Sequence, residues 1–286
     1  MGAVPLRLNH ALGSSLGAFA MRRLMPREWR VARINIDLCW PKLDAASRAQ
    51  MLKESMRETG KAMSEPLRLW RLSIEKRRSL AVDSPGRDTI DAICNAPGGA
   101  IILSPHLGSW EYLGLYIVSR KRMVVMYKPG KYSALDEFIV SGRKGGGLEL
   151  VRADRRGVAT MRKALADGAI VAILPDQEPK GGTGTFAPFF GIPAWTMNLV
   201  AALARREPAP VYACFAQRLA RAEGYRLHAD PVGDEIRSDD SVVSATALNA
   251  AVERCVRQCP AQYLWSYKRF RVRPDGSRWH YKVAPK

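Results

Sequence analysis

The sequence lacks the features that define several common protein classes. It has no uninterrupted apolar stretch of 18 or more residues, so it predicts no transmembrane helix. Its five cysteines form no Cys-x-x-Cys pair, and with only four histidines the chain offers no set of residues spaced as metal ligands. We find no internal repeat and no long low-complexity linker. These absences favour a chain with reduced thiols on the cytosolic side and without a metal or cofactor.

Acidic residues are also scarce. The chain has 27 Asp and Glu against 45 Lys and Arg, which gives a net charge of +18. An excess of this size indicates an anionic partner, which can be a nucleic acid, an acidic lipid or an acidic carrier protein. The 286 residues suffice for one large domain or two small ones.

The first 33 residues combine a weakly apolar stretch with a basic run. The stretch from Leu8 to Met21 includes Asn9 and His10, and the arginines directly after it argue against a cleaved secretory signal. The basic run faces either solvent or anionic head groups, and its place after an apolar stretch favours the head groups. We therefore predict a membrane-surface segment over residues 1–33. Its basic residues are Arg22, Arg23, Arg27, Arg30 and Arg33.

Residues 34–286 are predicted to form a single α/β domain that begins with helices over 34–95. From Ala100 onward, short apolar runs alternate with amphipathic stretches, which predicts a mixed, mostly parallel sheet flanked by helices. The predicted strands are 100–104, 122–127, 148–151, 169–174, 209–215 and 225–229. The predicted helices are 109–119, 133–143, 155–167, 196–206 and 241–258.

The most informative stretch runs from Ser104 to Glu111. The apolar run before it is typical of a buried strand, and Ser109 is a suitable N-cap for the helix after it. His106 therefore lies on a strand-to-helix turn, with Glu111 in the first helical turn. On one continuous helix these two side chains would lie about 140° apart, so they can meet only if His106 precedes the helix. A carboxylate beside an imidazole makes His106 a candidate general base, although such pairs are often purely structural.

The pattern His-x-x-x-x-Asp/Glu after a strand resembles the glycerolipid and lysophospholipid acyltransferase superfamily. The segment from His106 to Glu111 resembles its lipid A late-acyltransferase branch, and the similarity spans roughly residues 20 to 275. Further blocks resemble that branch in the same order. They are Met126-Tyr127-Lys128-Pro129, Gly142-Arg143, Leu174-Pro175-Asp176-Gln177, Phe186-Ala187-Pro188-Phe189-Phe190-Gly191 and Tyr263-Leu264-Trp265.

This resemblance implies that His106 and Glu111 form a catalytic dyad. It implies that Arg143 clamps a phosphate, for which its planar fork is suited, although a salt bridge to a local carboxylate fits the sequence equally well. Asp176 is expected to orient Arg143 or the acceptor, or else to be a turn residue. The substrate-binding residues implied by the resemblance are Arg143, Asp176, Gln177, Tyr127 and Lys128.

Two aromatic groups have open interpretations. The first, Phe186, Phe189, Phe190 and Trp195, supplies either a surface for a hydrocarbon chain or ordinary core. The second lies among basic residues near the C-terminus and suits single-stranded nucleic acid or a membrane interface, and the family resemblance favours the interface. Its members are Tyr263, Trp265, Tyr267 and Phe270.

Taken together, the resemblance implies an acyltransferase that moves a fatty acyl group from acyl-acyl carrier protein to a hydroxyl of a Kdo-bearing lipid A precursor. We expect a monomer that is peripheral or weakly anchored at the cytoplasmic face of the bacterial inner membrane. Acyl-acyl carrier protein is a co-substrate, no cofactor is expected, and no nucleic acid is expected as a partner. The alternatives are acylation of another lipid, such as a lysophospholipid or aminolipid, and a basic nucleic-acid-binding protein with a structural His-Glu pair.

Overall fold

The fold is an α/β sheet domain with a helical N-terminal region, as predicted. The computed structural model describes residues 5–127, 130, 133–179, 183–277 and 281, without the side chains of residues 20–22, 133 and 135. The helices in this part of the chain are α1 (Leu6–Arg23), α2 (Pro26–Cys39), α3 (Ala45–Ser64), α4 (Pro66–Leu69), α5 (Ile74–Ser79), α6 (Pro85–Asn95), α7 (Trp110–Val118), α8 (Ser133–Gly145), α9 (Arg155–Ala166), α10 (Leu199–Arg206) and α11 (Ser241–Gln258). The strands are β1 (Ala100–Leu103), β2 (Met123–Tyr127), β3 (Glu149–Arg152), β4 (Ile170–Ile173), β5 (Gly184–Phe189), β6 (Ile192–Met197), β7 (Val211–Arg218) and β8 (Tyr225–Pro231).

The main sheet has the strand order β3-β2-β4-β1-β7-β8, in which only β7 and β8 pair antiparallel. β1 and β4 are fully buried apolar strands at its centre, as expected for parallel strands covered on both faces. They pair in register from Ala100 opposite Ile170 to Leu103 opposite Ile173. The segments that follow these two strands therefore leave the sheet side by side at its carboxyl edge, where α/β sheets bind ligands.

The hairpin of β5 and β6 was not predicted. Its strands pair antiparallel from Gly184 opposite Met197 to Phe189 opposite Ile192. The two turn residues, Phe190 and Gly191, both have positive φ, as a two-residue type I′ turn requires. Phe189 is buried, whereas Phe190 packs partly buried against the core. The core interpretation therefore holds for Phe189.

The C-terminal aromatic residues are not a membrane interface, and this prediction was wrong. Tyr263, Trp265 and Phe270 are buried in the main core beside Phe189. Tyr267 is partly exposed, and its hydroxyl accepts a hydrogen bond from the backbone N–H of Glu178. The segment thus closes the core, and the three buried rings cannot contact lipid or nucleic acid.

The N-terminal helix packs directly on the helical region. Gly13 and Gly17 of α1 lie against Gly60 of α3, so closely that a Cβ on Gly17 or Gly60 would collide with the facing backbone. Nε2 of His10 lies 3.0 Å from Oε2 of Glu65. The predicted boundary after residue 33 falls inside α2, and the division into two parts remains a prediction.

The outer face of α1 is apolar. Leu8, Leu12, Leu16 and Phe19 follow one another at helical spacing and are each more than half exposed. Arg23, Arg27, Arg30 and Arg33 are exposed along the continuing chain, and the side chain of Arg22 lies outside the described part. Within the described residues, no helix is both long enough and apolar enough to cross a bilayer.

Candidate active site

His106 and Asp176 lie side by side at the carboxyl edge of the sheet. His106 comes three residues after Leu103, and Asp176 comes three residues after Ile173, the residue that pairs with Leu103. The Nδ1 atom of His106 is 2.9 Å from Oδ1 of Asp176, and the backbone N–H of His106 donates to Oδ2 at 3.1 Å. One carboxylate therefore holds both the ring and the backbone of His106.

The turn that carries His106 is fixed by close backbone contacts. Gly108 has a φ of 59°, and a Cβ there would collide with the carbonyl oxygen of Ala216. Ser109 caps α7 as predicted, since its hydroxyl accepts a hydrogen bond from the backbone N–H of Tyr112 at 3.3 Å. The carbonyl of His106 accepts from the backbone N–H of Leu264 at 2.9 Å. The histidine is thus held by a pre-formed loop.

Asp176 is buried and charged. Burial acts to raise the pKa of its carboxyl, but the neighbouring His106, through its charge and its two hydrogen bonds, holds the pKa below its usual value. Burial and the neighbouring carboxylate of Asp176 raise the pKa of the Tyr263 phenol well above its usual value. Tyr263 therefore stays neutral and can donate to the carboxylate.

The other nitrogen of His106 faces Gln177. Gln177 Nε2 is 3.4 Å from His106 Nε2. When Nδ1 carries the proton that Asp176 accepts, Nε2 has a free lone pair that an amide N–H or a substrate hydroxyl can approach. The His106 side chain is 17% exposed, and its ring packs edge-to-face with the Trp110 ring, with 5.3 Å between the ring centroids.

Glu111 has partners other than His106, which corrects the predicted direct pairing. Arg143 donates from Nε to Oε1 of Glu111 at 3.0 Å and also bonds it through Nη2. The indole N–H of Trp70 donates to Oε2 at 3.0 Å. Glu111 lies on α7, and its carboxylate faces Arg143 on α8 and Trp70 at the end of α4. The His106 ring faces Asp176, just after β4.

Arg143 is in an ion pair with a local carboxylate, the alternative that the sequence left open. The expected contact between Asp176 and Arg143 is replaced, because Arg143 bonds Glu111 and Asp176 bonds His106. A guanidinium has five N–H donors, and the bonds to Glu111 use one on Nε and one on Nη2. Gly142 lies so close to the Trp70 ring that a side chain there would displace it.

The remaining predicted site residues are less closely connected. The Tyr127 hydroxyl bonds Asp136, which also accepts from the backbone N–H of Gly130 at 2.7 Å. Lys128 lies outside the described residues. Sequence reasoning missed Trp70, which bonds Glu111, and Tyr263, which lies beside Asp176. Both belong to apolar patterns, and nothing in such a pattern shows where an N–H or O–H points.

The comparison with known protein families decides what this site belongs to. A family model described as bacterial lipid A biosynthesis acyltransferase matches residues 1–272. The chain belongs to this family. The resemblance drawn from the ordered sequence blocks is thereby confirmed, and the protein is an acyltransferase.

Individual relatives of this acyltransferase agree with the family. A lipid A biosynthesis palmitoleoyltransferase of Escherichia coli K12 is 29% identical over 93% of this chain and 85% of its own length. The lauroyltransferase of the same organism is 25% identical over 96% of this chain and 88% of its own. The myristoyltransferase is 25% identical over 97% and 85%. These relatives are named for different acyl chains, so the family does not fix the chain length.

Proposed function

We propose that this acyltransferase moves a fatty acyl group from acyl-acyl carrier protein to a hydroxyl of a lipid A precursor, with His106 as general base. The observation that carries the proposal is the bond of Asp176 to Nδ1 of His106, which leaves Nε2 for the acceptor hydroxyl. The names of the relatives support the acceptor class. The net charge of +18 suits both an acidic carrier and an anionic glycolipid.

In the proposed reaction the acceptor hydroxyl attacks the thioester carbonyl directly. Nε2 of His106 takes the hydroxyl proton as the C–O bond forms, and the positive charge that develops on the ring is stabilised by Asp176. The tetrahedral intermediate then loses the thiolate as the C–S bond breaks, and His106 returns the proton to sulfur. No enzyme nucleophile, metal or cofactor takes part. Asp176 is a positioning residue in this scheme, because it acts through His106.

The second carboxylate, Glu111, has a different role in the proposal. It holds the Arg143 guanidinium through two of its N–H groups and so fixes the direction of the others. A guanidinium held this way can bind an anionic oxygen of the donor or acceptor with little loss of side-chain freedom. Glu111 and Trp70 thus position Arg143, while Asp176 positions His106.

We further propose that the protein works at a membrane surface and binds it through α1. Leu8, Leu12, Leu16 and Phe19 would enter the apolar boundary of the bilayer, and the exposed arginines that follow would face anionic head groups. An apolar helix face followed by exposed arginines suits the cytoplasmic face of the bacterial inner membrane, where the carrier protein is available.

The direct test is acyl transfer by purified protein from acyl-acyl carrier protein to a detergent-solubilised lipid A precursor. The wild type should acylate the precursor, and His106→Ala should lower turnover by roughly 10²–10⁴-fold, the usual contribution of a general base. Circular dichroism controls for folding. Near-normal turnover in a folded His106→Ala protein would remove the general base from the proposal, and acylation of a lysophospholipid alone would replace the acceptor.

A further inference from the structure

A small cavity separates the start of α2 from the segment after Trp265. Its volume is about 270 Å³. Pockets that enclose a drug-sized ligand measure roughly 300–1,000 Å³, so this one suits part of a head group. Its polar lining consists of Arg27, Glu28, Ser266, Tyr267, Lys268 and Arg271.

Three cationic side chains meet in this cavity. Burial and the charges of Arg27 and Arg271 lower the pKa of Lys268, which is the effect expected when like charges are brought together. Glu28 opposes them from the lining, and Arg271 donates to Glu178 at 3.0 Å. Three cations against these two carboxylates leave one positive charge in excess. A bound anion would neutralise that excess.

The surroundings of the cavity favour the same ligand. α2 begins at Pro26, so the positive end of this 14-residue helix lies at the cavity wall. The Lys268 ammonium lies 5.5 Å from the centre of the Tyr281 ring, which limits its freedom without neutralising it. Lysine and arginine together are the usual side chains for phosphate oxygens.

The cavity is tied to the candidate active site through Glu178. This residue directly follows Gln177, whose amide faces His106. The carboxylate of Glu178 accepts from Arg271 and from the backbone N–H of Val272 at 2.9 Å, and its own backbone N–H donates to the Tyr267 hydroxyl at 2.9 Å. One short segment therefore connects the cavity wall to the residues beside His106.

We propose that Arg27, Lys268 and Arg271 form a binding subsite for a phosphate group of the lipid acceptor, separate from Arg143. The proposal rests on the proposed function, because it assigns the phosphate to the molecule whose hydroxyl reaches His106. The carrier's phosphopantetheine arm and membrane phospholipids carry the same chemistry, so the test must separate the three sources.

The test compares Lys268→Gln with the wild type, and uses Lys163→Gln as the matched control. Lys268 makes no protein ion pair among the described residues, so its replacement should leave the melting temperature unchanged or slightly higher. Lys163 is an exposed lysine on α9, and its replacement removes the same charge elsewhere. Steady-state kinetics are measured with a phosphorylated lipid A precursor and with the same lipid after phosphatase treatment.

We expect Lys268→Gln to raise KM for the phosphorylated acceptor by about 10- to 100-fold, the usual value of a hydrogen bond to a charged group. KM for acyl-acyl carrier protein should not change, and the phosphatase-treated acceptor should not distinguish the variant from the wild type. A larger KM for the carrier instead would assign the cavity to the donor and overturn the proposal. If Lys268→Gln instead lost binding to phosphatidylglycerol vesicles by the same factor, the cavity would be assigned to membrane phospholipid, which would also overturn the proposal.

A binding measurement separates this subsite from the proposed function. Equilibrium binding of the two lipids is measured in detergent without any donor. Tighter binding of the phosphorylated lipid by the wild type but not by Lys268→Gln supports the subsite even if no transfer occurs. Transfer with no effect of Lys268→Gln in either measurement overturns the subsite and leaves the proposed function intact.

Discussion

Asp176 accepts two hydrogen bonds from one residue, His106: the ring Nδ1–H at 2.9 Å and the backbone N–H at 3.1 Å. The first fixes which ring nitrogen carries the proton, and the second fixes where the ring stands relative to the end of β1. A carboxylate that does both is well placed to position a general base. Glu111, five residues after His106 in the sequence, has no share in either bond.

The two carboxylates can be compared by the same amide replacement. We predict that Asp176→Asn lowers turnover by roughly 10²-fold or more, because an amide N–H beside Nδ1 favours the ring form that has no lone pair on Nε2. Glu111→Gln should lower turnover less, since it leaves His106 and its partner unchanged. The pH profile of kcat/KM distinguishes the cases, since only Asp176→Asn should shift its ascending limb. A larger loss of turnover in Glu111→Gln than in Asp176→Asn would contradict this order and make the Glu111–Arg143 pair the more important of the two for catalysis.

The second prediction concerns the fork of Arg143. Its Nε and Nη2 both bond Glu111, a geometry that a lysine ammonium cannot reproduce. We expect Arg143→Lys to lower kcat/KM by about 10-fold or more, with little change in the free energy of unfolding measured in urea. Trp70→Phe should show a smaller loss in the same direction, because it removes only one bond to Glu111. Full activity of Arg143→Lys would mean that general charge attraction suffices at this position.

The position of Gly108 is a third testable feature. Gly108 has a φ of 59°, and a Cβ there would collide with the Ala216 carbonyl oxygen. We expect Gly108→Ala to lower the free energy of unfolding by more than about 1–3 kcal/mol, the cost of the backbone conformation alone. Gly98→Ala is the matched control, since a Cβ on Gly98 would meet no other atom within 4 Å. Denaturant unfolding of both variants checks the prediction, and equal stabilities would contradict it.

Element boundaries followed from local signals, whereas the partner of His106 did not. The predicted strand 169–174 and the observed β4 nearly coincide, because Gly168 and Pro175 mark the two ends of an apolar run. The pairing of His106 with Asp176 depends instead on the order of the strands, because β4 lies between β2 and β1 in the sheet. Strand order is a property of the whole fold. A local pattern therefore pointed to the nearest carboxylate in sequence, Glu111.

The missed hairpin and the misassigned aromatic residues have related causes. Pro188 argues against a strand, and a phenylalanine with positive φ at position 190 is not a usual turn residue, so β5 and β6 gave no hairpin signal. Tyr263 and Trp265 come just before a basic stretch, as aromatic residues of an interfacial segment often do. Their burial follows only from packing against Phe189 and the core around it, which the sequence does not reveal.

The fourth prediction concerns a buried ionic network that joins α1 to the sheet. Glu65 accepts from Arg218 at 2.6 Å and lies beside His10 and the Tyr225 hydroxyl. Burial acts to raise the pKa of Glu65, but the charge of Arg218 and the bond to His10 outweigh burial and lower this pKa to about 2. A lowered carboxyl pKa stabilises the folded state above its unfolded pKa, and this stability is lost as the pH falls toward the folded pKa.

Stability should therefore fall by about 3 kcal/mol between roughly pH 4.5 and pH 2 because of this one group. In Glu65→Gln that part of the pH dependence should vanish. The variant should be less stable at pH 7 by about 3–5 kcal/mol, since the buried Arg218 loses both of its bonds to Glu65 and, among the described carboxylates, keeps only Glu58, at 3.6 Å. The double variant Glu65→Gln/Arg218→Met should recover part of the loss. Urea unfolding across this pH range checks both statements, and an unchanged pH dependence in Glu65→Gln would assign the acid sensitivity to other carboxyls.

The last prediction concerns the exposed apolar face of α1, together with the arginines that follow it. Each basic residue near an anionic surface contributes about 1 kcal/mol, and salt screens that contribution, whereas apolar insertion is insensitive to salt. We expect tight flotation with phosphatidylglycerol vesicles, weak flotation with phosphatidylcholine vesicles, and only partial release by 1 M salt, at which the screening length is about 3 Å. The triple variant Leu12→Gln/Leu16→Gln/Phe19→Gln should lose the salt-resistant part of the binding.

A matched control, Ile74→Gln/Val242→Gln/Val243→Gln, replaces apolar residues exposed elsewhere and should bind like the wild type. Equal loss of binding in both triple variants would mean that binding follows overall surface hydrophobicity. Unchanged binding in the α1 variant would contradict membrane insertion through α1 and suggest that the basic residues bind the carrier protein instead.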